Sequence, residues 1–250
     1  MIRLSVNVNK VATLRNSRGG QQPSVLEAVT VCLNAGVKGI TVHPRADQRH
    51  ITPDDVRSIA RLLEDRRPDV EYNIEGDPRP DLVKLVQEVR PDQCTLVPVV
   101  PGEITSQAGW AEGVYTDQLK AAMMAMQSSG IRVSLFVDAR PDAVRFAASL
   151  GADRVELYTE PFARSFERGD SEGRRSFEAY VEAARLAHSL RVGVNAGHDL
   201  DLHNLVLFRT LPHLDEVSIG HALMARALFV GLDTVVREYL AVLADAESRS

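Results

Sequence analysis

The chain has 250 residues, 44% hydrophobic and 25% charged, enough to bury a large core and unlike the composition of a disordered segment. A formal net charge of −5 excludes a global attraction to nucleic acid or acidic membrane, so an anionic ligand must be held by local basic groups. Neither Met1-Ile2-Arg3-Leu4-Ser5-Val6 nor any later stretch has the apolar length of a signal peptide or membrane span, and Cys32 and Cys94 form no Cys-x-x-Cys pair, which predicts a cytoplasmic protein with two buried core thiols.

In chain order, short β-branched runs alternate with longer amphipathic stretches from end to end. Strands are predicted at 4–8, 39–43, 71–75, 94–98, 133–137, 154–158, 192–195 and 216–219. Helical patterns fall between them, beginning at Ser24, Pro53, Asp81 and near Thr116, Pro141, Ser176, Leu202 and Ala222. Thr52-Pro53-Asp54-Asp55 has a threonine cap, a first-turn proline and first-turn acids, and Gly36, Gly130 and Gly151 stand where left-handed helix ends are needed. Eight such units point to an α/β fold: a single-domain TIM (β/α)8 barrel over 1–250, with room for extra helices. A doubly wound open sheet is the alternative, but no Gly-x-Gly-x-x-Gly follows the first strand. Two connections are long, Val99 to Tyr115 and Glu160 to Gly173, each readable as a lid over the site or as a solvated loop.

Reactive groups of a parallel barrel gather at the C-terminal ends of its strands. There the sequence places Asn7 and Asn9, His43 and Arg45, Glu75, Asp138, Asn195 and His198, and Gly220-His221, with Glu156 inside strand six. Four of the seven histidines, His43, His50, His198 and His221, fall on that face, equipment for repeated proton transfer near neutral pH. Strand eight runs through Gly220-His221 directly into a helix, whose first N–H groups suit a phosphate. Arg15, Arg18, Arg45 and Arg49 form a second basic cluster able to fork onto another phosphate. Lys10 is the one lysine placed for Schiff-base chemistry.

The stretches Asn7-Val8-Asn9-Lys10-Val11-Ala12-Thr13-Leu14-Arg15-Asn16 and Gly39 to Ile51, together with Asn73-Ile74-Glu75, Thr95 to Pro98, Val133 to Asp138, Val194 to His198 and Ser218 to Ala222, resemble the pyridoxine 5′-phosphate synthase family along nearly the whole chain. The resemblance implies a barrel that joins 3-amino-2-oxopropyl phosphate to 1-deoxy-D-xylulose 5-phosphate, releasing phosphate and water, with no metal or organic cofactor. It implies His43 and Glu75 as general bases, His198 as general acid and Glu156 as the carboxylate that stabilises a transition state. Ligand-binding positions fall on Asn7, Arg18, Arg45, His50, Thr105, Gly220 and His221. It also implies a homo-octamer, with Arg18 reaching a neighbouring active site. The chain departs from the family pattern at Asn9-Lys10, where Asp-His is usual, and at Asp199, where glycine is usual. Asn9 can still donate and accept hydrogen bonds, Lys10 can set a positive charge near phosphate, and the Asp199 carboxylate should turn away from the phosphate turn or face solvent. The alternatives in view are an aldolase or lyase acting on phosphosugars through Lys10, a metal-dependent hydrolase with His43, Glu75 and His198 as ligands, and a non-catalytic phosphosugar-binding barrel.

Overall fold

A strand-then-helix order repeated eight times can close on itself, and it does. In a computed structural model, which describes residues 1–99, 108–113 and 115–244, eight parallel strands form one closed barrel in sequence order. They are β1 (Arg3–Asn7), β2 (Gly39–Val42), β3 (Glu71–Gly76), β4 (Gln93–Leu96), β5 (Arg132–Val137), β6 (Arg154–Tyr158), β7 (Gly193–Gly197) and β8 (Leu214–Ile219). Closure runs through β8 and β1, in register from Arg3 opposite Glu216 to Val6 opposite Ile219. The outer ring holds α1 (Asn9–Asn16), α2 (Val25–Ala35), α3 (Pro53–Leu63), α4 (Pro80–Val89), α5 (Thr116–Gln127), α6 (Pro141–Ser149), α7 (Glu160–Glu167), α8 (Asp170–Ser189), α9 (Leu205–Phe208), α10 (His221–Val230) and α11 (Leu232–Ala244). Among the described residues no helix is long and apolar enough to cross a membrane.

Local chemistry sets the helix boundaries. The Thr52 hydroxyl accepts from the Asp55 N–H while Asp55 reaches back to the Thr52 N–H, a capping box of about 1 kcal/mol with Pro53 in the first turn. Gly36, Gly130 and Gly151 adopt φ of 104°, 78° and 82°, the left-handed region that residues bearing a Cβ avoid.

Two helices were not legible as such. The charged 160–173 stretch is neither lid nor solvated loop but α7 and the start of α8. Phe162 is fully buried there, with ring centroids 5.1 to 5.9 Å from Phe166, Phe177, Tyr180 and Phe208. Helix α1 buries only Ala12, so it carries almost no apolar stripe to read. It is held instead by polar contacts: Arg15 grips Asp55 with two bonds of 2.6 and 2.9 Å, and Asn16 Nδ2 donates to the His50 carbonyl at 2.8 Å. Of the other long connection, Ala108–Gly113 packs onto β5. Trp110 N–H donates to the Phe136 carbonyl at 2.8 Å and its indole to the Leu96 carbonyl at 2.9 Å. A Cβ on Gly109 would lie 2.3 Å from Val137 Cα, so only glycine fits.

The period-two alternation divides each strand between two environments. Outward-facing Val6, Ile40, Ile74, Leu96, Leu135, Val155 and Val217 are buried against the helices and form the hydrophobic core. The lumen is polar: the Ser5 and Thr41 hydroxyls meet at 2.7 Å, Asn73 Nδ2 donates to Thr41 Oγ1 at 3.3 Å, the Thr95 hydroxyl donates to Asn73 Oδ1 at 3.1 Å, and Asn195 Nδ2 reaches Gln93 across the barrel and Glu216 beside it, both at 3.4 Å. Asn195 therefore sits inside the barrel rather than at its rim, because β7 continues to Gly197. At the N-terminal end Arg3 and Arg132 both pair with Glu71, and Arg154 Nη1 donates to Asn195 Oδ1 at 2.8 Å. That end of the lumen is thus filled by an ionic net.

Candidate active site

The corner where β1, β2 and β3 end is built by two asparagines. Asn7, the last residue of β1, donates from Nδ2 to Glu75 Oε2 at 3.4 Å and accepts the Asn9 N–H on Oδ1 at 3.0 Å. Asn9 Oδ1 in turn accepts the His43 backbone N–H at 2.9 Å. The ends of three strands are thereby tied, and His43 Nδ1 lies 3.9 Å from Glu75 Oε2. His43 Nε2 is buried with no partner among the described residues, and the His50 ring meets the His43 ring edge-on at 6.1 Å.

Burial decides the charges in this corner. It holds the His43 imidazole well below its ordinary pKa, helped by the charges of His50, Arg45 and Arg79, so His43 is neutral at pH 7. The 3.9 Å approach to Glu75 is accordingly imidazole to carboxyl and not an ion pair. Burial pushes Glu75 up to about 7, with Glu216 reinforcing the shift and His198 and a Ser218 hydrogen bond opposing it. A neutral imidazole beside a carboxyl titrating near 7 is matched to proton transfer at physiological pH. His50 falls to about 4, through burial first and then Arg45 and Lys10. Its Nδ1 accepts the Ile51 N–H at 3.0 Å, which leaves Nε2–H as a donor.

The opposite wall comes from β6, β7 and β8. Glu156 is 4% exposed in the lumen, and burial, then Glu75 and Glu216, raises its carboxyl well above the usual range, which favours the protonated form. Gly197, closing β7, makes room for it: a Cβ there would stand 2.4 Å from Glu156 Oε1. His198 follows, edge-on to the Tyr158 ring at 5.3 Å, and its Nδ1 lies 2.8 Å from Asp199 Oδ2. The Asp199 carboxylate is thus turned onto its neighbour's ring. Gly220 crosses so close to Asn7 that a Cβ would sit 3.1 Å from the Asn7 Cβ, and His221 opens α10, whose first turn holds no acid.

The four arginines expected to share a phosphate do not act alike. Arg15 is committed to Asp55. Arg49 bonds Asp47 at 2.6 Å, Arg45 is 7% exposed with Nε 3.8 Å from the same carboxylate, and Arg18 is exposed beyond the end of α1. Lys10 is exposed on the first turn of α1, so its amine lacks the desolvation that Schiff-base chemistry needs. Thr105 lies outside the described residues. Among those residues no group of three or more His, Cys, Asp or Glu side chains is arranged to hold a metal ion. Sequence reasoning passed over Glu216, which burial lifts to about 7 against the pull of Arg3, and Tyr158, which packs on Phe136 at 5.2 Å and walls His198. Counting in twos along β6 from Glu156 would have found Tyr158, on the same face and one step nearer the mouth.

These features define a (β/α)8 barrel with imidazole and carboxyl groups gathered at its C-terminal mouth. The fold is shared with phosphoribosyl anthranilate isomerase from Thermotoga maritima, at a TM-score of 0.63 with 12% identity over 98% of this chain and 100% of that one. Residues 4–245 match the model of the family described as pyridoxal phosphate biosynthesis protein PdxJ. Pyridoxine 5′-phosphate synthase of Christiangramia forsetii is 48% identical over 97% of this chain and all of the relative, and that of Leptospira biflexa is 49% identical over 97% of each. The chain belongs to the PdxJ family.

Proposed function

We propose that this mouth joins 3-amino-2-oxopropyl phosphate to 1-deoxy-D-xylulose 5-phosphate, forming pyridoxine 5′-phosphate and releasing inorganic phosphate and water. Imine formation, dehydration, loss of phosphate and ring closure each move protons, so bases and acids must coexist in one enclosure. His43, kept neutral, takes a proton through Nε2. Glu75 takes another from carbon or hydroxyl of the joined intermediate, and His198 returns one to a leaving oxygen. Glu156, whose burial favours the protonated form, acts as a hydrogen-bond donor to developing negative charge, where a carboxylate would repel it.

One phosphate is assigned to Gly220-His221 at the start of α10, where free backbone N–H groups and the helix dipole favour an anion. The other is assigned to Arg45, with His50 Nε2–H and Lys10 around it. Asn7, Asn9, Thr105 and the backbone of Asp199 complete the ligand shell. The observation that carries this reading is His43, whose Nδ1 faces Glu75 at 3.9 Å while its buried Nε2 has no partner among the described residues, since an unsatisfied buried polar atom costs about 1–3 kcal/mol that a bound substrate would recover.

The assembly belonging to this reading is a homo-octamer, with Arg18 serving a neighbouring site. Leu228 and Phe229, 73% and 90% exposed at the end of α10, supply apolar surface for such contacts. The multiply charged substrates do not cross membranes unaided, which supports work in the cytoplasm. Mixing the protein with both phosphates tests the reading: pyridoxine 5′-phosphate and inorganic phosphate should appear in equal amounts. Binding without product would leave a phosphosugar-binding barrel instead.

A further inference from the structure

The steps above give the Asp199 carboxylate no task. We infer that Asp199 is a positioning residue, whose carboxylate holds the His198 ring in one orientation and in the Nδ1–H tautomer, so that Nε2 is the nitrogen that exchanges protons with substrate. This rests on the reading that gives His198 its catalytic role.

The contact is direct: Asp199 Oδ2 lies 2.8 Å from His198 Nδ1, within charge-assisted range. That hydrogen bond holds the Asp199 carboxyl below its ordinary range against partial burial, so it is ionised at neutral pH and can only accept. Nδ1 must then carry the proton, which leaves Nε2 to work. Tyr158, edge-on at 5.3 Å, bounds the ring on a second side. The other charged or titratable groups near the pair are Glu75 of β3, Arg164 of α7 and His221 of α10.

The backbone makes the carboxylate harder to dismiss as incidental. His198 and Asp199 have φ of 85° and 57°, two successive side-chain-bearing residues in the left-handed region. The turn is pinned by the Thr159 hydroxyl, which donates to the Gly197 carbonyl at 2.7 Å and to the His198 carbonyl, and by Asn204 Nδ2, which donates to the Asp199 carbonyl at 3.0 Å. Glycine would adopt this conformation without strain. Backbone geometry therefore gives no reason for an aspartate, whereas the imidazole beside it does.

The test uses the full chain and the variants D199N, D199G and H198A. In 15N-histidine NMR the wild type should show His198 in the Nδ1–H form. D199N, whose amide oxygen can still accept, should largely keep that form, and D199G should shift toward Nε2–H. Turnover of D199G should fall roughly tenfold or more in kcat with KM moved less than about twofold. The alkaline limb of the kcat profile should move to lower pH in both Asp199 variants, because both lose the charge that stabilises an imidazolium. Thermal stability of D199G should equal or exceed that of the wild type, which separates this role from a structural one. D199G with an unchanged tautomer, kcat and pH profile, alongside an inactive H198A, overturns the positioning role alone. An active H198A instead overturns the reading of His198 on which it rests.

Discussion

Gly197→Ala isolates the geometry of the mouth with one methyl group. The methyl would stand 2.4 Å from Glu156 Oε1 and 3.3 Å from the Ser218 carbonyl, where ordinary contact begins at 3.4 Å, so Glu156 must retreat by about 1 Å. Gly197 lies outside the left-handed region, so alanine brings no backbone strain, and the group that yields is the end of a flexible side chain. The stability cost should sit at the low end of the ~1–3 kcal/mol typical of overpacking. For a chain of this size that is a fall of about 2–4 °C in Tm. The functional cost should be much larger, because a displacement of ~1 Å at a reacting centre costs about a hundredfold. The assay is turnover with both phosphates beside a thermal melt. A folded Gly197→Ala protein with kcat/KM within about twofold of the wild type would refute the placement of Glu156 at the reacting centre.

Two further predictions concern stability. Glu216 titrates near 7 in the fold against about 4.5 unfolded, so the folded state binds more protons between those values, and its contribution to stability is lost as pH rises through that window. Glu216→Gln should flatten the decline of Tm between pH 5 and 8, with about 3 kcal/mol as the ceiling on the removed part; an unchanged slope would contradict the assignment. Arg15→Ala should lower Tm by roughly 5 °C by leaving Asp55 without its forked partner, and Arg15→Lys should recover only part, since an ammonium has no fork. A melt of Arg15→Ala matching the wild type would mean that the pair contributes nothing.

Legibility in the sequence followed the source of each signal. All eight strands could be read, because their outward faces are aliphatic, mostly β-branched, and glycine or proline stands near the ends of all but β1. Helix α1 could not, since it is held by Arg15, Asp55 and Asn16 rather than by an apolar stripe. Helix α7 was hidden by charge, although Phe162 and Phe166 stand four apart. At the mouth, His43, Glu75, Glu156 and His198 could be picked out as polar residues in or just after strands. Their working states could not: which carboxyl keeps its proton depends on Glu75, Glu156 and Glu216 sharing one lumen, and a linear chain does not display that. Arg15 was misjudged for the same reason, since its partner Asp55 is forty positions away and meets it only once α1 has packed on α3.

Replacement of Glu75 by glutamine is the most direct test of the central claim, that a carboxyl titrating near 7 beside a neutral His43 moves the protons of the condensation. The amide keeps the shape and the Asn7 contact but cannot take a proton. Glu75→Gln should remain folded, bind both phosphates and lose roughly 10²–10⁴-fold in kcat. Near-normal production of pyridoxine 5′-phosphate by that variant would contradict the account.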